Sequence, residues 1–176
     1  MLIVLNEWGG CMYVYIAMGT YYFLKKLEEK HPNEKMVLMQ NVEGCLLWHE
    51  TAGSTLFQSP KKYELMESIG DFENEGVVSC NFIPVRDENR PVFEYGMTDK
   101  IKLIQNHTGF ITARLLRPLS NDTYMLMTMW KDEEHIRTWK NSSMYNNIHF
   151  QSKGTNIFSG PAYTSTYFVS EEKDTE

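Results

Sequence analysis

The sequence predicts an α+β protein made of two fused ferredoxin-like units packed sheet to sheet. Three observations carry this. A strand–helix–strand–strand–helix order runs over residues 12–70 and begins again at Val77. Gly and Pro stand at the ends of the periodic segments, and only the short acidic stretch "DFENEG" separates the two runs. With 42% hydrophobic and 13% aromatic residues in 176, the chain has enough apolar material for a packed core.

In the first half, "MYVYIAM" alternates as a strand. Thr20 is positioned to cap the helix "TYYFLKKLEEKHP", which Pro32 ends. "KMVLMQN" and "GCLLWHET" read as two strands joined at "VEG", with "STLFQ" as a third short extended piece. "SPKKYELMESIG" reads as a second helix, with Ser59 at its cap, Pro60 in its first turn and Gly70 at its stop.

In the second half, the strand "VVSCNFIPV" precedes a helix from Pro91 to about Gln105. The strand "GFITARLLRP", the turn "LSND" and the strand "TYMLMTMW" follow. The helix "KDEEHIRTW", the short helix "SSMYNNIHF" and the strand "AYTSTYFVS" complete the unit. The boundaries are thus residues 12–75 for the N-terminal half and 76–170 for the C-terminal half, with residues 1–11 and the charged tail 171–176 expected to be poorly ordered.

The formal charge of -6 and the lack of clustered Lys and Arg exclude a nucleic-acid surface. Cys11, Cys45 and Cys80 form no CxxC pair, which favours a reducing cytoplasm over a disulfide scaffold. "MLIVL" is too short to span a membrane, and no membrane partner is expected. Nucleophile elbows, phosphate-binding glycine loops and dinucleotide fingerprints are lacking, and His31, His49, His107 and His135 show no metal-site spacing.

Three places hold chemically suggestive residues. Strand alternation sets Val77, Ser79, Asn81, Ile83 and Val85 on one face and Val78, Cys80 and Phe82 on the other. An amide on an apolar face needs a partner, either a neighbouring backbone group or a ligand. On "TYMLMTMW", Tyr124, Leu126, Thr128 and Trp130 face one way and Met125, Met127 and Met129 the other; a methionine ridge suits either a flat apolar ligand or ordinary core. In one unbroken helix Trp139 and His149 would lie roughly 15 Å apart along the axis. The "NSS" between them supplies cap residues, so a bend between two short helices would bring both to one wall. The alternative makes Trp139 a core anchor and His149 a surface residue.

Asn81 in the first strand, "GF" opening the next, a strand ending in Trp130, then Trp139 and His149 ten residues apart together resemble the antibiotic-biosynthesis-monooxygenase superfamily, and within it the heme-degrading members. "GTYYFLKKL", "FQSPKKYELMESIGDF" and "RLLRP" extend the likeness from Met12 onward, toward the family that joins heme-degrading monooxygenases to TRAP-type signal transduction proteins.

The resemblance implies that Asn81, Trp139 and His149 are catalytic, with Phe110 and Trp130 also against heme. His149 would be the axial ligand of heme iron. Asn81 would donate its amide where negative charge develops, and Trp139 would press on the macrocycle. Heme would be both substrate and oxygen-activating cofactor, with O2 and an external electron donor, a reductase, as co-reactants. Arg114, Arg117, Lys140 and Lys153 are candidate propionate partners. Superfamily members dimerise through their sheets into a shared barrel, so a fused degenerate N-terminal half implies a monomer acting as a pseudo-dimer. The same resemblance admits a nonenzymatic TRAP-type regulator or a heme storage and transfer protein.

Overall fold

The computed structural model describes residues 9–149 and 156–170, with the His149 side chain outside the described set. Expectations for residues 1–8, the tail 171–176 and Lys153 fall outside it as well; Cys11 forms a β-bridge. In chain order the elements are β1 (Tyr13–Gly19), α1 (Tyr21–Glu29), β2 (Lys35–Asn41), β3 (Gly44–Thr51), β4 (Lys61–Ile69), β5 (Gly76–Pro84), α2 (Arg90–Ile104), β6 (Phe110–Pro118), β7 (Thr123–Trp130), α3 (Glu133–Lys140), α4 (Ser143–His149) and β8 (Tyr163–Val169).

These strands close into an antiparallel barrel in the order β1-β3-β2-β8-β5-β7-β6-β4. Each half contributes its fourth, first, third and second strands in that spatial sequence, so the two ferredoxin-like units meet at two seams. Those seams are unequal. β4 and β6 run together from Tyr63↔Pro118 to Ile69↔Ala113, whereas β2 and β8 meet through Gln40↔Phe168.

Period-2 alternation sorts the side chains into a barrel interior and two outer layers. The interior takes residues from both halves, including Val14, Trp48, Leu65, Val78, Cys80 and Tyr167. The methionine ridge of β7 points here, so Met125, Met127 and Met129 are core packing. Burial pushes the Cys80 thiol up to about 12, and Cys11, Cys45 and Cys80 are all unpaired.

Outside the barrel, α1 covers the N-terminal half through Leu24, which packs with Tyr15, Leu47 and Phe57. Over the C-terminal half, α2 follows a single 3-10 turn at Asp87–Asn89. Its Phe93, Met97, Ile101 and Ile104, spaced for one helical face, pack onto the outward residues of β5, β6 and β7. No described helix is long and apolar enough to cross a membrane.

Two elements differ from the sequence expectation. Residues 59–70 are not a helix: Lys61–Ile69 is β4, hydrogen-bonded to β1 on one side and β6 on the other. Its Lys, Glu, Leu and Met residues favour a helix locally, but barrel closure requires a strand here, and pairing on both edges overrides propensity. A register shift between Leu65 and Glu67 masks the strand alternation in the sequence. Ser59 has φ 55, a left-handed turn residue incompatible with the extended N-cap conformation. Residues 54–58 form an irregular loop rather than a strand, anchored by buried Phe57. The N-terminal half thus lacks the second helix of the C-terminal half.

Candidate functional site

β5 is flanked by β7 and β8, and its outward side chains form the floor beneath α3 and α4. Val77 pairs with Trp130, Ser79 with Thr128 and Asn81 with Leu126 across the β5–β7 register. Asn81 is fully buried, donating from Nδ2 to the Leu126 carbonyl at 3.3 Å and accepting at Oδ1 from the Thr164 hydroxyl at 2.7 Å. Neighbouring strands therefore satisfy the carboxamide oxygen and one of the two amide hydrogens. The backbone-partner alternative holds for that hydrogen, and the amide has a second to give.

α3 begins at Asp132, whose carboxylate accepts from the His135 backbone N–H at 3.0 Å, and it buries Ile136 and Trp139 on one face. The helix ends at Asn141, and the Ser142 hydroxyl accepts from the Tyr145 backbone N–H at 3.1 Å. The "NSS" segment is thus a helix break with its own cap. α4 then returns Tyr145 and Ile148 to the apolar cluster that holds Trp139. His149 follows Ile148 as the last residue of α4. Whether its side chain shares the wall with Trp139 lies outside the described residues.

An aromatic chamber results. Trp130 and Trp139 stack at 5.5 Å with 24° between planes, and Phe110 meets Trp130 edge-on at 5.7 Å. His107 approaches Trp139 at 4.9 Å and Tyr145 approaches it at 5.7 Å, both edge-on. The Trp130 indole donates to the Thr128 hydroxyl at 2.9 Å. The Trp139 indole N–H, by contrast, is buried without a hydrogen-bond partner among the described residues. The fold thus brings Phe110, Trp130 and Trp139 together on the sheet face that carries Asn81.

His107 and Tyr145 were not singled out in the sequence. His107 lies in a turn before β6, and no spacing links it to Trp139; only the closure of the fold does.

Of the candidate propionate partners, two are committed elsewhere. Arg114 is fully buried and donates from Nε to Glu50 at 2.6 Å and from Nη1 to the Gly70 carbonyl at 3.0 Å. Arg117 is held by Glu64 and Glu94, each at 2.8 Å. Lys140, half-buried at the end of α3, has its ammonium pKa lowered by burial. No cluster of three or more His, Cys, Asp or Glu suited to a metal ion occurs among the described residues.

Residues 77–150, the stretch containing Asn81, Trp139 and His149, match the family model for antibiotic biosynthesis monooxygenase. The chain is 28% identical over 159 residues to a heme-degrading monooxygenase of Listeria monocytogenes, covering 90% of this chain and 95% of the relative. It is 26% identical over 155 residues to the signal transduction protein TRAP of Staphylococcus aureus, covering 88% of this chain and 93% of the relative. A crystal structure from Listeria monocytogenes, described as a ferredoxin-fold protein related to antibiotic biosynthesis monooxygenases, superposes with a TM-score of 0.79 at 26% identity, over 93% of this chain and 96% of the other. The likeness therefore spans both halves, beyond the residues that the family model matches.

Proposed function

We propose that the protein is a heme-degrading monooxygenase, opening the porphyrin with O2 and electrons from an external reductase and releasing iron. One observation carries the reading: the Trp139 indole N–H is buried and has no partner among the described residues, in an aromatic wall on the same side of the sheet as Asn81. Flat aromatic walls with a few buried donors suit a planar apolar ligand with a polar centre. The donor set therefore fits heme.

In this reading heme is the substrate and also supplies the oxygen chemistry. The chain's own residues bind and orient it. His149 would hold the iron through its imidazole, and the second amide hydrogen of Asn81 would donate where negative charge develops. Trp139, backed by Trp130, sets the plane of the macrocycle, with Phe110 bracing Trp130. Lys140, next to Trp139 in the chain, would serve a propionate. A barrel closed within one chain supports a monomer that acts as a pseudo-dimer, with the heme site in the C-terminal half, residues 76–170, alone. Cytoplasmic placement accords with three unpaired cysteines.

A second reading has its own support. The TRAP relative covers as much of the chain as the heme-degrading one, and the Trp139–Trp130 stack and the Asn81 bonds are also what a structural core would contain. A nonenzymatic regulator would keep this core without turning over heme, and a storage protein would bind heme without consuming it.

Hemin titration separates the three. For the enzyme, a Soret band saturates at one heme per chain, is lost in His149→Ala, and bleaches when ascorbate is added with catalase present. Saturation without bleaching moves the reading to storage, and failure to form a stoichiometric complex moves it to the regulator.

A further inference from the structure

The floor of the chamber holds a group that the heme site described so far does not use. Ser79 is fully buried, and its hydroxyl has no hydrogen-bond partner among the described residues. It lies between Val77 and Asn81 on the outward face of β5, because Val78 and Cys80 on either side point into the barrel. Both flanking strands oppose it with threonines, Thr128 on β7 and Thr166 on β8. The Thr128 oxygen already accepts from Trp130. A buried hydroxyl left unpaired bears its full desolvation cost, and alanine would fill the same place on an apolar face without it.

We propose that Ser79 contacts a small ligand bound against the substrate, as a second hydrogen-bond donor beside Asn81. This rests on the heme reading given above. Two outward residues on one strand lie about 7 Å apart, so Ser79 and Asn81 form a short polar rail in an otherwise apolar floor. The rail is suited to a small anionic or strongly dipolar ligand held at the buried face of the tetrapyrrole. It is unsuited to a propionate, because a carboxylate needs a cation and the outward positions Val77, Ser79, Asn81 and Ile83 supply none. Ser79 and Trp139 thus act differently, since the tryptophan sets the plane and the serine selects what sits against the plane's polar centre.

Azide serves as the probe, titrated into the ferric hemin complexes of wild type, Ser79→Ala, Ser79→Thr and Asn81→Ala and followed by the Soret shift. Ser79→Ala is expected to keep hemin affinity within about twofold but to weaken azide about tenfold, the loss of one hydrogen bond to a charged acceptor. Ser79→Thr restores azide affinity, since it returns the hydroxyl. Equal azide affinity in wild type and Ser79→Ala, with hemin still bound, overturns the assignment and leaves the heme reading intact. Loss of hemin binding in Ser79→Ala assigns the hydroxyl to folding instead. If wild type itself takes up no stoichiometric hemin, the heme reading falls and this proposal falls with it.

Discussion

Arg114 on β6 and Glu50 on β3 meet inside the barrel at 2.6 Å, one residue from each half, both shielded from solvent. Trp48 donates its indole N–H to the same carboxylate at 3.1 Å, and Lys35 reaches its other oxygen at 2.8 Å. The two halves are therefore held together by a desolvated ion pair as well as by apolar packing.

Removing one partner of such a pair leaves a buried charge uncompensated. Glu50→Ala is expected to lower unfolding free energy by about 3–5 kcal/mol in urea denaturation. A loss below about 1 kcal/mol would show that water and the Ile69 and Gly70 carbonyls compensate Arg114.

The same carboxylate gives a pH dependence. Burial pushes the Glu50 carboxyl up, but the Arg114 charge and the hydrogen bonds from Lys35 and Arg114 outweigh it, so the net displacement is downward. A lowered folded-state pKa contributes stability that is present above the unfolded value and is lost as pH falls through the folded one. Stability should hold near neutrality and decline below roughly pH 4. Glu50→Gln should show a flatter acid limb, with the remainder supplied by Glu94, whose carboxyl is also held low on balance: burial pushes it up, but bonds from Arg117 and Tyr124 prevail.

Trp139 contributes area and a stacked ring, but its N–H forms no bond among the described residues. Trp139→Ala should cost about 3–5 kcal/mol. Trp139→Phe keeps a ring on Trp130 and should cost only about 1–2 kcal/mol. Thermal unfolding of both variants checks this, and equal losses would mean that the indole N–H is bonded after all.

Asn81 bridges three strands. Asn81→Ala frees the Thr164 hydroxyl and the Leu126 carbonyl from their side-chain partner and should cost about 1–3 kcal/mol in stability. In the heme reading the same variant still binds hemin but turns it over more slowly. Unchanged turnover would reduce Asn81 to a strand tie.

Much of the site was legible because strands have a strict period. Alternation alone set Asn81 outward and the β7 methionines away from it, and the "NSS" break was readable from its capping residues. What escaped the sequence depends on partners from remote strands. Lys61–Ile69 looks helical until β1 and β6 claim its two edges, and Arg114 stands as a candidate propionate partner until Glu50, from the other half, meets it. His107 joins Trp139 by the same closure, and no local pattern marks it.

The inequality of the two seams makes the barrel a cylinder with one firm hinge and one light clasp. β4 and β6 are laced along most of their length, while β2 and β8 touch backbone at Gln40 and Phe168, helped by the Asn41 side chain donating to the Thr166 carbonyl at 3.2 Å. Breathing motions should therefore start at the clasp, so amide protons there should exchange well before those of β4–β6. β8 is also the strand whose Thr164 anchors Asn81. Each opening of the clasp would loosen β8 and, through Thr164, the strand floor on which the aromatic cluster rests.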